Sequence, residues 1–163
     1  TRTSSSAASD VYKRQEVLVA IGELSTSIGA ADITEVEMVT TTADKSEGFT
    51  ISVRVRYNEP VDVVTTGGTP TLAVTNGNEG TGTGRGPHTL SYASGTGTNE
   101  LIFSLAIAAA NAATNADDVL TVGAQTIALN SGTIKDASGT ASDAALVISG
   151  AVGTAAGSVT VTA

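Results

Sequence analysis

Between Gly48 and Ile107 the chain alternates apolar and polar residues with a period of two, and this constrains its fold more than any other feature. Phe49, Ile51, Val53, Val55 and Tyr57 share one parity, whereas Thr50, Ser52, Arg54, Arg56 and Asn58 share the other. Leu101, Phe103, Leu105 and Ile107 repeat the pattern against Glu100, Ile102, Ser104 and Ala106. Successive side chains of a strand point to opposite faces, so each segment has one face to bury and one to expose. The pattern, with its turn residues, predicts strands over 33–41, 48–57, 61–64, 70–75, 88–93, 100–107, 119–129, 145–149 and 158–162. A sheet with one apolar face needs a second layer to cover it, which points to an all-β protein of two antiparallel sheets packed face to face. Pro60 and Pro70 cannot donate to a ladder and belong at strand starts or edges. Asn76-Gly77, Asn130-Ser131-Gly132 and Ser138-Gly139 mark turns.

The amino-terminal residues stand apart. Residues 5–15, SSAASDVYKRQ, resemble the in-frame translation of a transposase-type sequencing adapter, and residues 1–4 fit its flanking bases. Residues 1–15 are therefore read as an artefact with no structural role. Residues 16–31 form an amino-terminal arm or the tail of a preceding segment. There Val17, Leu18, Ala20, Ile21 and Leu24 fit one side of a short helix, which Gly22 weakens by about 1 kcal/mol. Residues 32–163 make up the sandwich.

Charge narrows the partners. The chain carries a net −8, and residues 1–15 contribute three cations against Asp10, so the remainder stands at −10 (−8 less +2). Only Lys45, Arg54, Arg56, Arg85 and Lys135 oppose fifteen acids there. That balance argues against nucleic acid and against an anionic membrane leaflet, both of which demand a basic surface. There is no cysteine, hence no disulfide framework and no thiolate chemistry. No stretch approaches the roughly 20 apolar residues of a spanning helix, so no membrane insertion is expected. The alanine-rich stretch 106–116 is short and interrupted by Asn111, Thr114 and Asn115, and reads as a crossing loop.

Four landmarks recur in order: Tyr57-Asn58-Glu59-Pro60-Val61-Asp62-Val63, Gly68-Thr69-Pro70-Thr71-Leu72, the run from Leu90 to Phe103 (LSYASGTGTNELIF), and Leu129-Asn130-Ser131-Gly132-Thr133-Ile134-Lys135-Asp136 with its following Ala-Ser-Gly. Together they resemble the bacterial Ig-like repeats of surface and adhesin proteins, modules that also decorate the virions of tailed phages. The resemblance spans about 33–163. It implies an Ig-like antiparallel β-sandwich of about 7–9 strands, extracellular, on a virion or bacterial cell surface, contacting other virion or surface proteins or host-surface glycans.

Catalytic patterns are not found. No Gly-x-Ser-x-Gly, His-Glu-x-x-His or Gly-Lys-Ser/Thr string occurs, and His88 is the single histidine. It reads as an ordinary loop or strand residue, and no enzymatic activity is expected. Asp117, Asp118 and Asp136 are the only candidate metal ligands. If they converged at one end of the sandwich they would offer the hard oxygens that calcium prefers; the simpler reading is solvated surface acids, and no other cofactor is expected. Glu59 and Asp62 are expected to pair with Arg54 or Arg56 at the surface. The insert 76–86 is the candidate contact loop, with Asn76, Gly77, Asn78, Gly80, Gly82, Gly84 and Arg85, because a hairpin tip tolerates insertion and presents variable contacts. It lacks the lysine and following helix of a phosphate cradle.

The expected function is a noncatalytic structural or adhesion module, foremost of a phage virion, since one unit is visible and it ends at a strand. A terminal repeat of a bacterial adhesin is the alternative, and a carbohydrate-binding accessory domain the next, although an exposed aromatic platform is lacking. Deleting residues 1–15 should leave the thermal midpoint unchanged; a loss of several degrees would show that these residues are part of the fold.

Overall fold

The computed structural model describes residues 29–76, 87–137 and 141–163. Residues 1–15 and most of the arm lie outside that set. The described chain is mostly strand, in the order β1 (Ile33–Met38), β2 (Ala43–Asp44), β3 (Phe49–Val64), β4 (Thr71–Val74), β5 (His88–Ser94), β6 (Thr98–Ile107), β7 (Val119–Thr121), β8 (Gln125–Thr126), β9 (Thr133–Asp136), β10 (Val147–Ile148), a short helix α1 (Gly150–Ala155) and β11 (Ser158–Thr162).

The largest sheet runs β1-β3-β6-β5-β4, and β9 pairs with the distal half of β3. All its pairings are antiparallel. The segments expected at 48–57 and 61–64 are one strand, β3. Its ladder with β6 jumps from Arg56↔Glu100 to Val61↔Thr98, and Pro60 lies inside this irregularity. A bulge tolerates a residue with no N–H, and from Val61 onward β3 pairs with β9 on the edge opposite β6.

Parity places the side chains as the alternation predicts. Ile51, Val53, Val55, Tyr57, Leu101 and Phe103 are buried, while Phe49, Tyr92, Leu105 and Leu129 pack partly buried against the same cluster. Tyr92 and Phe103 meet edge to face at 6.1 Å. From the carboxy-terminal third, Leu120, Ile127, Ile134, Ile148, Val159 and Val161 join this core. The Tyr57 hydroxyl donates to Ala145 O at 3.1 Å, and burial pushes that phenol well above its ordinary range.

Four elements depart from expectation. The stretch 119–129 is two short strands, broken where Gly123 takes φ +66°. β9 lies between the turns read at 130–132 and 138–139, where no strand is expected, its ladder with β3 running from Val61↔Asp136 to Val64↔Thr133. β11 pairs with β2 in parallel, Val161↔Ala43 and Thr162↔Asp44, so the sheets are not wholly antiparallel. α1 carries two glycines and no helical periodicity. It forms because Ser149 Oγ caps Val152 N at 3.3 Å, and because Gly153 admits the Gly123 carbonyl to where a Cβ would stand, 2.1 Å away. The β5–β6 turn needs Gly95, whose φ is +116° and whose Cβ would meet Glu100 O at 2.0 Å.

Phe103→Ala should lower stability by about 3–5 kcal/mol, since Phe103 is fully buried at the centre of the β3-β6-β5 ladder. Chemical denaturation measures this, and an unchanged midpoint would remove β6 from the core.

Candidate functional site

Antiparallel pairing gathers particular loops at one end of the main sheet. The start of β3 faces the end of β6 through Phe49↔Ile107, and the start of β5 faces the end of β4 through Val74↔His88. The β2–β3 turn, the described flanks of the insert between β4 and β5, and the 108–118 loop leaving β6 therefore share this end. Of the candidate contact residues, Asn76 is described. Gly77, Asn78, Gly80, Gly82, Gly84 and Arg85 lie outside the described residues.

Both flanks of the insert grip the 108–118 loop. Asn76 is fully buried and its Nδ2 donates to Ala113 O. His88, 5% exposed, places Nε2 3.0 Å from Thr114 Oγ1, and Thr114 is itself buried. Lys45, from the β2–β3 turn, donates through Nζ to Asn111 O. Asp118, 1% exposed, accepts from Asn115 N through Oδ2 at 2.8 Å. Its Oδ1 has no hydrogen-bond partner among the described residues. The loop base is tied to β11 by Asp117 N–H donating to Val161 O (2.8 Å) and Val161 N–H to Asp118 O (2.9 Å). Asp117 takes φ +70°, the left-handed conformation that aspartate tolerates better than most residues. Burial holds the His88 imidazole below its ordinary value; Asp118 opposes that shift and Lys45 adds to it.

The candidate metal ligands are not brought together. Asp117 and Asp118 sit at this end, whereas Asp136 closes β9 opposite Val61, at the far end of β3. Among the described residues no group of three or more His, Cys, Asp or Glu side chains is arranged to hold a metal ion.

The expected pairing of Glu59 and Asp62 with the arginines is corrected. Arg54 pairs with Glu37 and, at 3.6 Å, with Glu100; Arg56 pairs with Glu35 at 2.7 Å and with Glu100 at 2.6 Å. Those glutamates stand directly across the ladder, at Glu37↔Arg54, Glu35↔Arg56 and Arg56↔Glu100. Cross-strand neighbours on one face win over residues further along the same strand. The Arg56 contact holds the Glu100 carboxyl below its ordinary value. Glu59 instead lies near Asp136 and Asp32, and burial followed by these two anions raises its carboxyl above the ordinary value. Its Oε1 is buried without a hydrogen-bond partner among the described residues.

The sequence search did not find the His88–Thr114 contact. The available signal was the single histidine at the first position of a strand, bordering the insert, with its parity shared by Leu90. No family model matches the chain, and neither a curated protein nor a solved structure is matched.

Glu59→Gln should raise the thermal midpoint at pH 7, because the neutral side chain removes the cost of burying a charge and, secondarily, the repulsion from Asp136 and Asp32. A carboxyl raised in the fold favours stability when protonated, and that contribution is lost as pH rises through its folded value. The gain of the variant should therefore vanish in acid, where Glu59 itself is protonated. Equal midpoints at pH 7 would show that the clustered charge costs nothing.

Proposed function

We propose that residues 32–163 form a noncatalytic Ig-like β-sandwich module displayed on an exterior surface, as a structural or decorating part of a phage virion. The observation carrying this reading is the construction of one sheet end. A strand scaffold with a continuous apolar core holds Asn76 and His88, the flanks of the insert, against the Ala113 carbonyl and the buried Thr114 of the 108–118 loop. Such an end fixes the flanks of an inserted loop, the arrangement by which rigid sandwiches present binding segments. The outward face of β1, β3 and β6 is covered by a row of alternating charges, from Glu37 and Glu35 through Arg54 and Arg56 to Glu100. That row leaves the loop end, rather than this sheet face, as the contact surface. Fold-level likeness supplies the virion setting, and the contact role rests on the loop end alone.

Deleting Gly80 to Gly84 separates scaffold from contact. The thermal midpoint should stay nearly unchanged, because closing a shorter loop alters the entropy only slightly. Incorporation of the protein into virions, or adsorption of those virions to host cells, should fall. If neither changes, the insert is not the contact site.

A further inference from the structure

The buried polar residues at the loop end differ from the rest of the core in one respect: they include a group that changes charge near neutral pH. His88 is the only histidine in the sequence, and it holds the loop by a single bond to Thr114. The charged groups acting on the ring come from two other elements: Asp118, at the foot of β7, and Lys45, in the β2–β3 turn. Asp118 has one oxygen already engaged with Asn115 N and the other unpartnered among the described residues. Lys45 is held near the ring by its bond to Asn111 O.

We propose that the His88–Thr114 contact is an acid-released latch, in which protonation of the His88 ring frees the 108–118 loop from the sheet end that carries the insert. In the closed state the ring is 5% exposed, so an imidazolium there would lose most of its hydration. The Lys45 ammonium disfavours it further. Asp118 compensates in part, and burial outweighs it. Opening the loop returns the ring to water, where it protonates at its ordinary value of 6.5. Opening therefore takes up a proton, and acid favours the open form. The sign follows from the lowered value in the fold. The closed state has its full advantage above about 6.5 and loses it as pH falls from there through the depressed value. Few apolar contacts resist the opening, since residues 108–113 are exposed or half-buried and Thr114 is the one buried residue between Ala108 and Asp117. Opening breaks the Asn76–Ala113 and Lys45–Asn111 bonds together with the His88–Thr114 contact, while the loop stays tied at its base by the Asp117 and Asp118 bonds to Val161. The latch rests on these contacts and not on the virion reading; its test reads no binding.

Amide exchange on the full chain, corrected for the intrinsic effect of pH, tests it. Protection of residues 111–118 should fall between pH 7 and pH 5, by at most about tenfold for each unit of pH below the free value, while that of 101–107 stays constant. His88→Gln, which keeps a hydrogen-bonding side chain and cannot titrate, should abolish the pH dependence. In the unmutated protein the ring signal of the single histidine is unambiguous and should titrate below 6.5. Asp118→Asn should move its midpoint further down, and Lys45→Gln up. Protection of 111–118 independent of pH, an equal dependence in H88Q, a ring midpoint at or above 6.5, or shifts of opposite sign in the Asp118 and Lys45 variants would each overturn the latch. Should H88Q fail to fold, the ring titration with its two charge variants decides.

Discussion

The pairing of β3 with β6 is the constraint from which the rest follows. β3 is long enough to pair with three partners, β1 on one side, β6 on the other, and β9 beyond the bulge. Its parity decides the register of them all, because a slip by one residue would carry Ile51, Val53, Val55 and Tyr57 to the solvent and Arg54 and Arg56 into the core. Burying apolar area favours the observed register by several kcal/mol per residue pair exchanged, which no surface ion pair can match. The charge row from Glu35 to Glu100 is therefore a consequence of the register rather than its cause. It decorates the face that the apolar parity leaves outside, and its contribution is of the order of 1 kcal/mol per pair or less.

The bulge between Arg56 and Val61 carries the second architectural step. Beyond it Val61 pairs at once with Thr98 of β6 and Asp136 of β9, so β9 takes the edge of β3 that β1 leaves after Ile33↔Tyr57. Pro60 marks the point, for its missing N–H would break a regular ladder, while its carbonyl still accepts from Ala137 N at 3.0 Å. Asp136 is buried at the end of β9 opposite Val61, and it and Asp32 both act electrostatically on Glu59 after burial has raised that carboxyl.

What was legible in the sequence divides along the same physical line. Strands with one buried face announce themselves through alternation, so β1, β3, β4, β5, β6 and β11 lie within or across the expected segments, and the main core residues belong to one cluster. Elements formed by tertiary contact alone were not legible. β2 is two residues paired to a distant terminus, β9 needs the edge of β3 that β1 leaves free, and α1 exists because one hydroxyl caps it and one glycine lets a backbone carbonyl approach. The candidate site was legible as an insertion between two strands. Its chemistry was not, because Lys45, Asn76, His88 and Thr114 are separated by tens of residues and share no spacing rule. Whether Asp117, Asp118 and Asp136 would converge was not legible for the same reason, since sequence order does not reveal that Asp136 closes the opposite end.

The loop end also shows why polar bonds, and not apolar area, fix its shape. Residues 108–118 are mostly alanine with asparagine, threonine and aspartate, and little of their surface is apolar enough to select one position over another. Apolar contacts are non-directional, whereas a buried hydrogen bond left unmade costs about 1–3 kcal/mol, so a handful of such bonds can hold one conformation against many alternatives. Here they come from four separate parts of the chain: the β2–β3 turn through Lys45, the two flanks of the insert through Asn76 and His88, and β11 through Val161. A loop specified in this way is rigid only while each bond has its proton in the right place. The scaffold, specified by burial, has no comparable dependence. Separation of the two kinds of specification within one small chain allows the loop end to change while the sheet that carries it does not.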